Sequence, residues 1–580
     1  MSTLDQDTRI TLQQADDSPP SRCCDGFPSC RCHTEASRDR ILRELLNVSE
    51  ADLFCKQRRF VPRGSILHIL DSQRVAKHLE TFLNDTQLSC QLAAYVSPGH
   101  DKTCHCQEPP CTGSRIIFAA LLRIGKESLI IDLYNQPGPK PCDMSFPFTG
   151  HSPFPGLLTS LTEKERQLFQ DAQRQFRAHY LKRLEPDDRA FRELDDEAAL
   201  PLLAIKERPA PIDGELSIVQ CITIHPDHHN LGDGQEYFAL KTFKRCYFGL
   251  DEKDFQKEFE ANQQTPRHAR IVPLLAAFKH GHEFHLLFPY ASGGNLEELW
   301  KKYSSREALG DNPASWYSPQ WLLNECLGLA ASLVATHQSS DNTTVGGQHN
   351  HAAQLHADIK ARNILCFEID GKESIILKLA DFGFAQRAGA DLTLAVGDVV
   401  QIKTYRPPEH DLKDRVRLNY DVWCLGCVCL EFITWAVLGW SEVETFGRNR
   451  MDERDDRLTS TAKGEEYEDK FFRKSARAPR WYNLSGWRFK IGSNTEITSK
   501  KSTASQHFFQ VNRGNIQINC KVKESVIEHI RKVRDHDQCV PEFQEFLDFI
   551  ETRMLVVDAE ARAESTEVES FLRRLAERYH

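Results

Sequence analysis

Four polar residues crowd into one short part of the chain. Asp358, Lys360 and Asn363 lie in Leu355-His-Ala-Asp-Ile-Lys-Ala-Arg-Asn-Ile-Leu365, and Asp381 closes an apolar run in Leu379-Ala-Asp-Phe-Gly-Phe384. This set is fit to move a phosphoryl group, a reaction that needs few residues with definite tasks. One carboxylate faces an attacking hydroxyl. A second carboxylate and an amide oxygen hold magnesium against a polyphosphate. A lysine neutralises charge that builds on the transferred group. The plainer reading, two unrelated polar turns in an α/β domain, weakens because further pieces occur in a fixed order around the four.

Those pieces are the elements that must place the chemistry. Upstream, Glu236-Tyr-Phe-Ala-Leu-Lys241 alternates like a strand and ends in lysine, and a helix follows at Asp254-Phe-Gln-Lys-Glu-Phe-Glu260. Glu258 is the expected ion-pair partner of Lys241, with Glu260 second. The run His285-Leu-Leu-Phe-Pro-Tyr-Ala-Ser-Gly-Gly-Asn-Leu296 reads as strand, turn and helix, and Trp321 to Val334 as a helix. Downstream come Thr404-Tyr-Arg-Pro-Pro-Glu409, Asp421-Val-Trp-Cys-Leu-Gly426 and Met554-Leu-Val-Val-Asp-Ala-Glu-Ala-Arg562.

Taken together these motifs resemble eukaryotic protein kinases over about 205–575. The hinge run Phe-Pro-Tyr-Ala-Ser-Gly-Gly-Asn-Leu and Ile224-His-Pro-Asp-His-His229 are similar to a divergent group in filamentous fungi. The resemblance implies an α+β, two-lobed fold: a small β-rich lobe at 205–288 and a large helical lobe at 291–575. It implies ATP and a protein substrate as partners, with Mg2+ held by Asn363 and Asp381. Asp358 would orient the substrate hydroxyl and accept its proton, and Lys360 would steady the γ-phosphate. Lysine at that offset goes with serine/threonine specificity in the family. Lys241, fixed by Glu258, would grip the α- and β-phosphates. Gly214 and Val219 would lie over the nucleotide, with Phe288 at the gatekeeper position, Tyr290 in the hinge and Asn295 reaching the ribose. Glu409 and Arg562 would form a buried structural pair.

Two departures matter. Counting back from Val219, the family's three loop glycines fall on Ile212, Gly214 and Ser217, so one glycine remains to let backbone amides approach phosphate. The arginine that usually precedes the catalytic aspartate is Ala357. Without it, obligatory control by activation-segment phosphorylation is not expected. Constitutive competence, or control by the amino-terminal half, is. These departures also define the rival reading, a pseudokinase scaffold or nucleotide-gated regulator without turnover.

The chain has 580 residues, a formal net charge of −10 and 40% hydrophobic residues. That is ample for packed cores, and the acidic balance argues against bulk nucleic-acid binding. The polar, acidic start Met1-Ser-Thr-Leu-Asp-Gln-Asp is no secretion signal. Val422 to Trp440 approaches the length of a membrane span, but Glu431 interrupts it; a buried central helix is the expectation, and no membrane span. An intracellular location follows, in cytoplasm, nucleus or both.

Residues 1–36 read as a mobile Cys/Pro-rich tail, and 38–200 as a helix-rich domain of unassigned role. Within it, Arg38 to Arg59 (through Ile41, Leu42, Leu45, Leu46 and Val48), Val75 to Leu83 and Leu161 to Leu184 carry helical spacing, the last opened by the capping-box pattern Thr162-Glu-Lys-Glu165. Ile116 to Ile124 and Ser128 to Tyr134 are apolar but of ambiguous type. Of 19 cysteines, Cys221, Cys326, Cys366, Cys424, Cys427 and Cys429 read as buried small hydrophobes. The groups Cys23-Cys24…Cys30-Arg-Cys32-His33 and Cys104-His-Cys106…Cys111 are either zinc ligands or free thiols. Residues 441–520 read as a charged insertion, whose mixed run Arg448-Asn-Arg-Met-Asp-Glu-Arg-Asp-Asp-Arg457 is expected to be a solvated surface. Docking partners would use that insertion or the amino-terminal domain.

Overall fold

The computed structural model describes residues 31–578 apart from 56–57, 99–110, 112, 139, 144–159, 186–187, 204, 206–208, 215, 233, 235, 245–249, 305–316, 339–352, 370–373, 389–392, 395–403, 413–414, 457–467, 478–497, 501–507 and 514–515. The chain forms two compact units. One holds Met1–Leu181 with Asp195–Ile205 and Ile224–His229; the other holds Lys182–Leu194, Lys206–Thr223 and Asn230–His580.

The first unit is helical. Its described helices are α1 (Arg31–Asn47), α2 (Arg63–Ile69), α3 (Ser72–Leu83), α4 (Thr86–Val96), α5 (Arg115–Ile124), α6 (Ile130–Asn135) and α7 (Glu163–Phe176). Apolar side chains at helical spacing meet in one core that includes Leu45, Leu79, Leu92, Phe118 and Phe169. Asp71 and Asp85 cap α3 and α4, and Thr162 with Glu165 forms the expected capping box on α7. The ambiguous segments resolve as α5 and α6. The helix expected to reach Leu184 stops at Phe176, because the next amides find other acceptors: His179 N–H donates to Ala199 O and Leu181 N–H to His228 O. The tail lies almost wholly outside the described residues, as do both Cys/His groups save Cys32, His33 and Cys111; no cluster of three or more His, Cys, Asp or Glu side chains among the described residues is placed to hold a metal ion.

The second unit begins with a twisted sheet. Its strands are β1 (Arg192–Leu194), β2 (Ile212–Asp213), β3 (Ser217–Ile224), β4 (Phe238–Phe243), then, after helix α8 (Leu250–Gln264), β5 (Ala276–His280) and β6 (Glu283–Pro289). They hydrogen-bond in the order β1-β5-β6-β4-β3, with β2 on β3. All these pairs are antiparallel except β1 with β5. In β4 Phe238 and Leu240 point to one face and are buried, which sends Lys241 to the other. Phe255 and Phe259 anchor α8 in an aromatic cluster: Phe255 stacks on Phe284 with centroids 4.8 Å apart and meets Phe191 edge-on at 5.0 Å.

A helical part follows: α9 (Leu296–Lys302), α10 (Pro319–His337), hairpin strands β7 (Ile364–Ile369) and β8 (Ser374–Leu379), α11 (Pro408–Leu412), α12 (Tyr420–Leu438) and α13 (Trp440–Asp452). After strands β9 (Phe472–Arg477), β10 (Thr498–Lys500), β11 (Phe508–Arg513) and β12 (Ile516–Val522) come α14 (Glu524–Arg534), α15 (Pro541–Phe549) and α16 (Ser565–Arg578). The apolar α12 is long enough to cross a membrane, yet 83% of its hydrophobic window is buried inside this unit, as befits a core helix. The six cysteines named above are buried.

The 441–520 insertion keeps Arg448, Asp452 and Arg454 of its mixed run exposed, as expected, but not Arg450 or Asp455. It is built of α13 and an antiparallel sheet of order β9-β12-β11-β10, and it buries Arg450, Asp455, Lys470 and Lys474. Where its charges are buried, opposite signs meet each other instead of water.

Candidate active site

The β7–β8 hairpin brings the site together. Ile364 pairs with Leu379 at its open end, so Asn363 and Ala380 become neighbours, and Ala380 N–H donates to Asn363 O at 2.9 Å. Asp381, next in the chain, takes φ +64°, a left-handed conformation uncommon outside glycine. Two residues far apart in sequence thus stand side by side.

Asp358 is fully buried. Its Oδ2 accepts from Lys360 Nζ at 2.9 Å and from Asn363 Nδ2 at 2.8 Å, while its Oδ1 has no hydrogen-bond partner among the described residues. Burial pushes the Asp358 carboxyl above its ordinary pKa, against the pull of Lys360. Asn363 Nδ2 also donates to Asp358 O at 2.9 Å, so the amide nitrogen is spent on the loop. The amide oxygen remains as a hard ligand beside Asp381, and the pair fits a divalent cation such as Mg2+ in donor chemistry.

Lys241 Nζ reaches both oxygens of Glu258, at 2.7 and 2.8 Å, and Asp381 Oδ1 at 3.2 Å. Burial opposes charge on all three. Between two carboxylates Lys241 is nevertheless held above the ordinary lysine value, and Asp381 falls below the ordinary carboxylate value once Lys241 overrides its burial. For Glu258 burial outweighs Lys241 and the shift is upward. The bidentate contact decides for the ionised pair. Phe255, Glu258 and Asn262 lie on one face of α8, so the aromatic cluster that seats the helix also seats the carboxylate. Glu260 is exposed and bonds Gln256 instead.

The other expected residues are dispersed as follows. Val219 lies on β3 in register with Lys241 on β4 and with Ile212 on β2. Gly214 turns β2 into β3, its N–H bonded to Ser217 O at 2.9 Å. Lys244 clips this turn from outside, 2.6 Å from Asp213 and 2.5 Å from Gly214 O. Phe288 is half-buried at the end of β6, and Tyr290 follows, its N–H on Tyr237 O at 3.3 Å. Asn295 forms a capping box with Glu298 at the start of α9. That cap uses its amide oxygen and competes with the ribose contact expected of it.

Sequence reading had missed His356 and the part Asp421 plays. His356 is buried, its ring 4.5 Å from Phe382 and its Nε2 3.1 Å from Ala380 O. It ties the Asp358 loop to the Asp381 turn. Asp421 accepts the backbone N–H groups of His356 and Ala357 at 2.8 and 3.0 Å. The signal available was Asp421 itself, a lone acid opening an apolar helix.

A family model described as a protein kinase domain matches residues 230–571. The chain is 32% identical to a probable receptor-like protein kinase of Arabidopsis thaliana over 190 residues, 32% of this chain and 34% of that protein. It is 34% identical to mitogen-activated protein kinase kinase kinase 20 of the same plant over 217 residues, 36% of this chain and 55% of that protein. It is 31% identical to the leucine-rich repeat receptor protein kinase MSP1 of Oryza sativa subsp. japonica over 183 residues, 31% of this chain and 12% of that protein. The chain thus spans less than two thirds of the length of these curated relatives. They are plant proteins, and the likeness to a fungal group rests on the two sequence runs alone. With the small sheet, the helical part and the loop geometry in place, the match over more than half of its length shows that the chain belongs to the protein kinase family.

Proposed function

We propose that the protein transfers the γ-phosphoryl group of ATP to serine or threonine hydroxyls of a protein substrate. The observation that carries this reading is the state of Asp358: buried, steered through Oδ2 by Lys360 and Asn363, with Oδ1 unpaired among the described residues. An orphaned buried carboxylate oxygen costs roughly 1–3 kcal/mol and calls for a donor. A substrate hydroxyl would supply it, aligned for attack and able to give up its proton to Asp358.

Asn363 and Asp381 would hold Mg2+, which supplies charge neutralisation on the phosphates when bound. Lys241 would leave Asp381 for the α- and β-phosphates while keeping Glu258. Lys360 is half-exposed and 2.9 Å from Asp358, from where it would steady the transferred group. Its place two residues after Asp358 supports Ser/Thr over Tyr acceptors. The acceleration would come mainly from placement and fixed charge.

The single remaining loop glycine, in a turn pinned by Lys244, favours the rival of a nucleotide-gated scaffold. Turnover of ATP with magnesium and casein, parent against Asp358→Asn, separates the two. Transfer by the parent and its loss by at least a hundredfold in the variant is expected. Equal background incorporation in both would leave the scaffold. Phosphoamino-acid analysis of the product reads the Ser/Thr assignment.

A further inference from the structure

The segment that ends at Glu409 is seated on buried charge. Arg406 is 5% exposed, with Asp411 at 2.7 Å on one side and Glu468 at 2.5 Å on the other. Asp411 lies on α11, but Glu468 belongs to the 441–520 insertion. The network continues into that insertion. Lys470 Nζ stands 2.5 Å from Asp455 and 3.3 Å from Asp411, and Lys474 Nζ 2.7 Å from Asp411. Three bases and three acids balance, so each carboxylate has a partner. A second tie runs beside it: Tyr405 donates to Glu431 at 2.6 Å, and Glu431 also holds Arg450 of the insertion at 2.9 Å.

This arrangement occupies a place that needs an explanation. Ala357 is fully buried and carries no charge, so the residue before Asp358 offers nothing to hold a phosphorylated segment. The insertion supplies fixed carboxylates and ammonium groups to the segment's far end instead. We propose that the 441–520 insertion is a permanent organiser of Thr404–Leu412, clamping Arg406 between Glu468 and Asp411 so that a protein substrate meets a formed docking surface without prior phosphorylation. The inference rests on the kinase reading for its substrate, but the clamp itself is a conformational claim.

Glu468 sits at the rim of the network with its side chain 12% exposed, so Glu468→Gln keeps volume and removes the charge. The test compares phosphatase-treated parent and Glu468→Gln by hydrogen–deuterium exchange of residues 404–412, by ATP hydrolysis without acceptor, and by transfer to casein. The expected result is faster exchange at 404–412, a casein KM raised at least tenfold and hydrolysis within twofold of the parent. Should Glu468→Gln not yield folded protein, Arg406→Lys, which keeps charge but cannot span both carboxylates, gives the same changes to a smaller degree. Unchanged exchange and casein KM overturn the clamp, as does loss of parental transfer on phosphatase treatment. If the parent transfers nothing, the kinase reading fails, and exchange alone still decides whether Glu468 holds the segment.

Discussion

The carboxylate of Asp421 accepts the backbone N–H of Ala357 at 3.0 Å, pinning the residue that precedes Asp358. Ala357 is held at φ +64°, a conformation that costs a non-glycine residue about 1–3 kcal/mol. The other carboxylate oxygen takes the His356 N–H at 2.8 Å. Asp421→Asn keeps the shape but turns an NH2 group toward its donors, which are these two N–H groups and His337 Nε2 at 3.1 Å. A loss of about 1–3 kcal/mol in stability is expected from the bond forfeited. The loosened loop lowers kcat roughly 10–100-fold with the KM for ATP little changed. Urea denaturation and steady-state kinetics check the two effects separately.

Arg562 lies in the same buried floor, its two terminal nitrogens on Glu409 at 2.7 and 2.9 Å. Its Nε donates to Val556 O at 3.0 Å. Arg562→Leu leaves Glu409 buried and unpaired, and a loss of about 3–5 kcal/mol is expected. Replacing both residues by leucine recovers part of that loss, since no orphaned charge remains. A double-mutant cycle in denaturant that shows simple additivity would contradict this account of the pair.

Lys241 is bound from two sides, by Glu258 on α8 and by Asp381. Lys241→Met removes the cation and leaves Glu258, 5% exposed, without compensation, so burial drives that carboxyl further toward its protonated form. Transfer is expected to fall by about 10²–10³. Adding Glu258→Gln to Lys241→Met changes little more, because the glutamate acts through the lysine. Independent, multiplying losses would mean that Glu258 has a task of its own.

The sequence disclosed most where chemistry constrains residue type over short spacing. Asp358, Lys360 and Asn363 were legible because all three lie on one loop, and Asp381 because an apolar strand leads into it. Lys241 and Glu258 could be joined only through element order, since 17 residues and a change from strand to helix part them. His356 stayed hidden because its work is done through Ala380 and Phe382, contacts that no local pattern encodes. The burial of Arg450 and Asp455 within a largely exposed mixed run stayed hidden for a related reason: their partners Glu431 and Lys470 lie outside that run. The end of α7 depended on acceptors at Ala199 and His228, which lie well beyond any local window.

Buried neutral histidines set the acid response. His285, in the middle of β6, is 1% exposed, its Nδ1 3.0 Å from Thr242 Oγ1; burial, aided by His280, depresses its pKa to about 3. His529 stacks on Phe446 at 3.8 Å, and burial with Arg450 and Lys532 nearby brings it to about 3. An unfolded chain binds these protons near pH 6.5, so between that value and about 3 the unfolded state holds more protons than the native one. Stability therefore falls as pH drops below 6.5, by about 1.4 kcal/mol per pH unit for each such histidine, and these groups contribute no slope above it. Carboxylates add their own loss toward lower pH, so the comparison must be differential. His285→Gln keeps an acceptor for Thr242 but cannot titrate, and between pH 6 and 4.5 its stability should decline less steeply than the parent's by one proton's worth. Denaturation midpoints for the two proteins that run parallel across that interval would show that His285 is already protonated in the fold.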